Sequence, residues 1–383
     1  MKKNILVIMG GESTEHDISL ITGVQAINNI NKDKYAVYPV IIDKQGKWHF
    51  SFSFFCIDNI LHYFDKTKQL GTCLLQGKIL YLKTKNKLKK LADIDCGILC
   101  CHGGNGENGA LQGLFEVHGV PIVSPSHTFS GLFMDKHLSK VLFENLNIKT
   151  PKYQKISKEE YSADKKLVLE KIIKTISAPY FVKPNSQGSS IGVSKANNKK
   201  ELATSIEGAF VFDNEVLIEE CVNNLCEFNI AVCSIDKKTR LSCIEKPCNK
   251  NKLLTFEDKY LKGDKSGLNN MGRELPAKMT KEQEDFVKAS AQKVYDNYIK
   301  SGIVRIDYLC NTKTGEIWIN EVNTIPGSLS FYLWKGEYTF ETLLDSLISE
   351  AIANCSHNNI KTTFESCVLR QYGGGSKGSK VIS

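Results

Sequence analysis

Four side chains in the last third of the chain have the types and spacing to act on a phosphate. Arg305 and Asp307 stand two apart within the run Ile303 to Leu309, and Glu321 and Asn323 stand two apart at the end of the next apolar run. Residues at i and i+2 share one face of a β-strand. The intervening Asn311-Thr312-Lys313-Thr314-Gly315 has hairpin-turn chemistry, so the two strands are expected to pair antiparallel. One arginine, two carboxylates and an amide then converge on one face. Oxygen donors of this kind suit Mg²⁺, which one or two carboxylates hold while water and phosphate oxygens complete its shell. An internal arginine–carboxylate ion pair accounts for one of the acids, not for both and the amide.

Three glycine-rich segments could hold a ligand. Lys183-Pro184-Asn185-Ser186-Gln187-Gly188-Ser189-Ser190-Ile191-Gly192 follows a strand and offers backbone N–H groups, hydroxyls and one ammonium to phosphate oxygens, although no G-x-x-x-x-G-K-[ST] element occurs. Gly10 to His16 follows the first strand, where ligands collect in open α/β sheets. There Glu15 either caps a helix or holds a ligand's ammonium group, and His16 is as readily structural as functional. Gly104-Asn105-Gly106-Glu107-Asn108-Gly109 matches the dinucleotide fingerprint between a strand and a helix. The ribose-binding acid should stand about 20 residues on; that place reads Ser124-Pro125-Ser126-His127-Thr128, with no acid.

The frame that positions these groups is alternating. Asn4 to Met9, Ala36 to Ile42, Cys96 to Cys101 and Val120 to Val123 read as strands; Ile18 to Ile30 and Ala110 to Val117 read as helices. This order predicts a parallel sheet covered by helices on both faces. Residues 46–93 show no clear period. Further on, helices are expected at Asp135 to Asn145, Lys199 to Phe210, Lys281 to Ile299 and Thr339 to Asn354, and strands at Tyr180 to Lys183 and Val216 to Glu219. Gly373 to Lys380 has the composition of a mobile tail.

Composition narrows the class. At roughly 150 residues per domain, 383 residues make two or three domains. Apolar and charged fractions of 42% and 24% are those of a globular protein, which excludes fibrous and disordered chains. No apolar run reaches the ~18 residues of a membrane span, and the N-terminal run is too short for a signal peptide. Thirteen cysteines, without a C-x-x-C pair or zinc spacing, fit buried thiols in a reducing, cytoplasmic setting. The net charge of +8 is mostly scattered lysine, and the stretch Lys83 to Lys90 lacks the aromatic residues of a nucleic-acid surface. Only four of the fifty basic residues are arginine: Arg240, Arg273, Arg305 and Arg370.

Taken in order, the segments resemble the D-alanine–D-alanine ligase family of the ATP-grasp superfamily. The resemblance runs from Lys3 to about Leu347. It is carried by Gly10 to Ser19, His102 to Gly109 with Leu111-Gln112-Gly113, Met134-Asp135-Lys136, Lys183 to Gly192, Leu217 to Glu220, Lys259-Tyr260, Arg305-Ile306-Asp307 and Asn320 to Gly327. It implies a three-domain α/β ATP-grasp fold with an N-terminal Rossmann-like parallel sheet: residues 1–124, a central ATP-grasp subdomain at 125–219, and a C-terminal subdomain at 220–365 carrying the metal site, before a tail at 366–383. It also implies that ATP phosphorylates one D-alanine and that the amine of a second attacks the acyl phosphate, and it implies a homodimer.

The resemblance also assigns roles. Asp307, Glu321 and Asn323 hold Mg²⁺ or Mn²⁺, with two ions expected. Lys136, Lys183, Ser189, Ser190 and Lys259 meet the phosphates of ATP, and Glu219, Val222 and Glu227 line the adenosine pocket. Glu15 takes the ammonium of the first D-alanine with His102 nearby, and Arg305 and the N–H of Gly327 face the oxyanion. Ser189, Tyr260 and Glu15 join to close a loop over the site, and Tyr332 and Leu333 lie by the second substrate. The chain departs from the family pattern at Asn108, at Ser124, in one extra residue between Glu219 and Glu227, and in Ser328 to Trp334. A sister ligase using D-serine or D-lactate is the nearest alternative, although Tyr260 favours an amine nucleophile. A nicotinamide-dependent oxidoreductase, resting on Gly104 to Gly109, is the distant one.

Overall fold

The computed structural model describes residues 2–65, 71–84, 87–247 and 272–356. Elements are numbered in chain order. The first sheet contains β1 (Lys3–Gly10), β2 (Tyr35–Ile42), β3 (Trp48–Phe50), β4 (Thr72–Gln76), β5 (Ile79–Lys83), β6 (Leu88–Asp93), β7 (Cys96–Leu99) and β8 (Ile122–Val123). Its order is β6-β5-β4-β3-β2-β1-β7-β8. The segment β2-β1-β7-β8 is parallel, as the alternation predicts. Ile5 to Met9 are wholly buried, the state of a strand covered on both faces. The aperiodic stretch extends this sheet as antiparallel strands β3 to β6. Edge strand β6 exposes Lys89 and Lys90, charges that discourage further pairing. Helices α1 (His16–Asn29), α2 (Ile57–Asp65) and α3 (Ala110–Val117) belong to this unit.

After α4 (His127–Met134) and α5 (Lys136–Asn145), the second sheet pairs β9 (Tyr153–Ser157), β10 (Tyr180–Pro184), β11 (Ser194–Ala196) and β12 (Glu215–Glu220) antiparallel, in the order β11-β10-β12-β9. Helices α6 (Lys158–Ala163), α7 (Lys165–Thr175) and α8 (Lys199–Ala209) supply apolar residues to the core against Tyr180, Val182, Val216 and Ile218. Alternation sends the intervening Phe181, Lys183, Leu217 and Glu219 to the opposite face. Lys183 and Glu219, the two candidates for the ATP site in these strands, therefore leave the core on the same side.

The third sheet has the order β14-β13-β17-β18, formed by β13 (Leu225–Ile235), β14 (Lys238–Leu241), β17 (Ile303–Asn311) and β18 (Ile317–Asn323). A two-residue ribbon joins β15 (Lys246–Pro247) to β16 (Arg273–Glu274). Phe228, Ile230, Val232, Val304, Ile306, Tyr308, Ile319 and Val322 bury one sheet face beneath α9 (Lys281–Val294); Phe143, Leu146 and Ile148, in and after α5, join the same core. A π-helical turn, Tyr295–Ile299, ends α9, where a continuous helix was expected. The closing α10 (Phe340–Ser356) packs Leu343, Leu344, Leu347 and Ile348 into the core of the first sheet.

The hairpin of β17 and β18 forms as expected. Arg305 pairs with Asn323 and Asp307 with Glu321, but Tyr308 pairs with Ile319, leaving Asn320 as a one-residue bulge. A bulge shifts the phase of alternation and re-aims side chains. Here it lets Ile319 and Val322, three apart, both enter the core while Glu321 and Asn323 keep to the other face. Ile306 anchors the core side between Arg305 and Asp307 and is fully buried. Replacing it with alanine should destabilise the protein by about 2–5 kcal/mol, read as a lower midpoint in urea denaturation. An unchanged midpoint contradicts this packing.

Candidate active site

The second sheet presents a buried ion triad. Glu219 Oε1 lies 2.6 Å from Lys140 Nζ, and its Oε2 lies 2.6 Å from Lys183 Nζ. Burial alone would raise the Glu219 pKa, but the two ammonium groups hold it down at about 2. Burial opposes the charge on Lys183, yet Glu219 and Glu321 keep its pKa above the usual value. Lys140 also donates to Thr150 Oγ1 at 2.8 Å, and burial pushes its pKa down. Lys136 opens α5 and donates to the carbonyl of Gln187; burial lowers its pKa as well. Lys136, Lys140 and Lys183 thus gather around the buried Glu219 carboxylate, three ammonium groups able to meet an anion at this face. The Lys183 to Gly192 loop borders it. Its backbone is pinned by Asn185, whose Oδ1 accepts from His137 N at 3.0 Å, and by Asp213, whose Oδ2 accepts from Ser186 N at 2.7 Å.

The face of the third sheet meets this one at Lys183, whose ammonium donates to Asn320 Oδ1 at 3.3 Å. On that face Arg305 donates Nε and Nη2 to the two oxygens of Asp307, at 2.7 and 2.8 Å. The amide of Asn323 donates to Asp307 Oδ2 at 2.9 Å. Glu321 stands opposite Asp307 across the ladder and lies within the fields of Lys136, Lys140 and Lys183. The ion pair weighed from sequence is therefore present, with the second acid and the amide beside it. Among the described residues no three His, Cys, Asp or Glu side chains converge as a metal cage. Two carboxylates and an amide are a donor set for a hard cation completed by water and phosphate, so these residues fit Mg²⁺.

The first sheet closes the site from the third side. Glu15 begins α1, but its side chain makes no capping bond; Ser13 Oγ accepts from Glu15 N instead, at 3.0 Å. The Glu15 carboxylate accepts from the Ser189 hydroxyl, joining the first strand's loop to the Lys183 to Gly192 loop. Gly188 lies so close that a Cβ there would stand 2.8 Å from Glu15 Oε2. His16 is structural: Nδ1 donates to Gly11 O at 2.8 Å. His102 is buried between Ile325 O, 2.7 Å from Nδ1, and Thr22 Oγ1, 2.8 Å from Nε2. A carbonyl only accepts, so Nδ1 carries the proton and the Thr22 hydroxyl donates to Nε2. Burial lowers the His102 pKa, which favours this neutral form. Thr22 Oγ1 in turn accepts from Ser328 N at 3.1 Å.

Glu107 adds a further tie. Its carboxylate accepts from Gly103 N at 2.8 Å and Ile325 N at 3.2 Å. Burial and the nearby Glu15 raise its pKa to about 8. The loop after β18 is thus fastened at Ile325 and Ser328. It needs fastening, because Ser328, Leu329 and Ser330 have φ of 54°, 49° and 50°, left-handed values that cost non-glycine residues about 1–2 kcal/mol each. Gly327, just before them, has no atom within 4 Å of where a Cβ would stand.

The comparisons with known proteins fit this geometry. Family models described as D-ala D-ala ligase N-terminus and C-terminus match residues 4–125 and 142–349. The chain is 34% identical to the D-alanine–D-alanine ligase of Thermosipho melanesiensis over 355 residues, 90% of this chain and 92% of the relative. The chain belongs to the D-alanine–D-alanine ligase family. The D-alanine–D-alanine ligase of Acetivibrio thermocellus is 33% identical, across 93% of this chain and 98% of that one. Among solved structures, the ligase resembles the VanG D-Ala:D-Ser ligase of Enterococcus faecalis (TM-score 0.76, 30% identity, 92% and 100% covered). It also resembles the D-alanine–D-alanine ligase of Helicobacter pylori (TM-score 0.72, 27% identity, 91% and 98% covered). These relatives share the ATP-grasp fold and place the chain among ADP-forming ligases.

The oxidoreductase alternative has no support, and the glycine segment that suggested it has another use. Gly109, at φ +93°, packs where a Cβ would lie 2.3 Å from His127 O. Two departures from the family pattern are also explained. Asn108 Oδ1 accepts from Ala110 N at 3.0 Å at the start of α3, a bond that aspartate also makes, and Ser124 Oγ accepts from Gln112 Nε2 at 3.2 Å.

In this ligase Glu15, His102, Lys136, Lys183, Ser189, Glu219, Arg305, Asp307, Glu321 and Asn323 come together around one cleft. Glu227 is close enough to Lys183 to raise its pKa. Val222 is half-buried in the connection after β12, and Ser190 lies exposed in a turn of the Lys183 to Gly192 loop. Leu333 is a core side chain, and Tyr332 faces Glu245. Lys259 and Tyr260 lie outside the described residues. Sequence reasoning missed Thr22, Glu107 and Lys140. Lys140 carried a signal, since it stands one helical turn from Lys136 on the same helix face; the others act through contacts distant in sequence.

The triad has a pH consequence. The folded-state pKa of Glu219 lies below its unfolded value of 4.5, so its stabilisation is full above that value and is lost as pH falls toward about 2. The contribution is on the order of 3 kcal/mol. Denaturation midpoints of the wild type should fall more steeply than those of E219Q between pH 4.5 and 2; parallel curves contradict the assignment.

Thr22, His102 and Glu107 together clamp the loop after β18 at Ile325 and Ser328. T22V should lower kcat about tenfold with little change in KM for ATP, and T22S should restore it. Equal effects of both variants contradict the clamp.

Proposed function

We propose that this ligase uses ATP to join two D-alanines, giving D-alanyl-D-alanine, ADP and phosphate. The observation that carries the reading is the meeting of the lysine-rich face and the Arg305–Asp307–Glu321–Asn323 face at Lys183. Joining a polyphosphate to a carboxylate brings anion to anion, and positioning with charge neutralisation supplies most of the catalysis. Lys136, Lys183, Lys259, Ser189 and Ser190 receive the phosphates, and Glu219, Val222 and Glu227 border the nucleoside. Asp307, Glu321 and Asn323 would hold Mg²⁺ or Mn²⁺, two ions in all, which when bound neutralises phosphate charge.

Glu15 takes the ammonium of the first D-alanine, and the clamp of Thr22, His102 and Glu107 keeps the Gly327 loop beside its carboxylate. A carboxylate oxygen attacks the γ-phosphorus and ADP leaves. The second D-alanine's amine, its ammonium proton lost to solvent, then attacks the acyl carbon, and the nitrogen sheds a further proton as the amide forms. Arg305 and the N–H of Gly327 stabilise the oxyanion, and phosphate departs with the carboxylate oxygen. Loss of one such donor typically costs ~10²–10³ in rate. The Ser189–Glu15 contact shields the labile intermediate from water, a role in which the family resemblance includes Tyr260. Tyr332, and Leu333 through its main chain, border the second substrate. We assign the units to 1–124, 125–219 and 220–365 with a tail at 366–383, in a cytoplasmic homodimer.

D-serine as second substrate is the other reading, favoured by the likeness to the VanG ligase at 30% identity. Offered ATP and Mg²⁺ with equal D-alanine, D-serine and D-lactate, the purified protein should make mainly D-alanyl-D-alanine. Exclusive formation of a mixed product overturns the choice. E321A should abolish phosphate release while leaving the circular dichroism spectrum unchanged; undiminished turnover refutes the metal assignment.

A further inference from the structure

The three members of the buried triad are held differently. Lys183 pairs with Leu217 and Phe181 with Glu219 across β10 and β12, so Lys183 and Glu219 are diagonal neighbours on one sheet face. Lys140 comes to that face from α5. Its Nζ stands 2.6 Å from Glu219 Oε1, and Lys183 Nζ stands 2.6 Å from Oε2, so each carboxylate oxygen carries one ammonium. Lys140 is 1% exposed, donates to Thr150 Oγ1 at 2.8 Å and lies 5.6 Å from the centre of the Tyr153 ring. Its partners therefore all belong to the second sheet or to the segment leading into it. Lys183 instead reaches out of the triad to Asn320 Oδ1 in the third sheet, where the two charged faces meet. Burial works against the charge on Lys140, and Glu219 supports it. The other charged groups about Lys183 are Glu321, Glu227 and Lys136.

We propose that Lys140 is a positioning residue for the nucleotide: it offsets the charge of Glu219, so that Glu219 aims Lys183 at ATP without cancelling its attraction for phosphate. This rests on the reading above that Lys183 receives a phosphate. A carboxylate 2.6 Å from an ammonium fixes where that ammonium points, but the pair is neutral as a whole and attracts an approaching anion weakly. A second ammonium on the other oxygen removes this drawback. The three groups together then carry one positive charge, and Lys183 is the member that reaches toward the cleft. Glu321 and Glu227 act on Lys183 with or without Lys140, so the effect of Lys140 adds to theirs. Because the triad is buried, salt screens it little.

The test titrates the full-length protein with ATP and Mg²⁺ by calorimetry, without amino acid. K140M should weaken ATP binding roughly tenfold, the effect of one unscreened charge at this range. In turnover the loss should appear in KM for ATP and not in KM for D-alanine. K140M/E219Q should recover most of the affinity, because the glutamine oxygen still accepts from Lys183 and brings no charge to offset. A merely structural Lys140 gives no such rescue. If K140M does not accumulate, the double variant carries the test, and its Kd for ATP should lie within about tenfold of wild type. Wild-type affinity in K140M, no recovery in the double variant, or a double variant weakened beyond that range overturns this inference alone. A wild-type protein that binds no ATP overturns the ligase reading with it.

Discussion

The pairing of β17 with β18 is the constraint on which the cleft depends. It sets Arg305 against Asn323 and Asp307 against Glu321, while Ile306 and Val322 face the core. Because strand side chains alternate, a slip of one residue would bury the charged set and expose the apolar one. Burying those charges without partners is costly, so the register is fixed from both faces. The bulge at Asn320 is part of this solution. It places an amide oxygen within reach of Lys183, where the two charged faces meet.

Around that ladder, the first sheet acts as a fixture. Glu107, His102 and Thr22 come from loops and a helix of the first unit, yet they hold Ile325 and Ser328 after β18. The left-handed turn at Ser328 to Ser330 persists because its surroundings over-determine it. Glu15 makes the corresponding link to the Lys183 to Gly192 loop through Ser189. Each of the three sheets thus contributes to the cleft, and the chemistry depends on their relative positions.

The sequence made some of this legible and left the rest hidden for physical reasons. The hairpin was readable because period-2 spacing and turn chemistry are local, and Asn311 Oδ1 indeed accepts from Lys313 N at 2.9 Å. The parallel strands were readable because full burial makes continuous apolar runs. Strand β13 was missed, although Phe228, Ile230 and Val232 alternate, because Glu227 and Asn229 interrupt the run. Strands β3 to β6 are short and partly exposed, so no period emerges. Thr22 and Glu107 could not be found locally, since their partners lie 306 and 218 positions away. The family resemblance supplied site residues that spacing alone could not.

The central claim is that ATP activates a carboxylate in this cleft by phosphorylating it. The most direct measurement follows ¹⁸O from the carboxylate of labelled D-alanine during turnover with ATP. Transfer of one carboxylate oxygen into the released phosphate is the predicted result, because phosphate leaves the acyl phosphate carrying that atom. Phosphate released without the label, alongside dipeptide formation, would contradict the account.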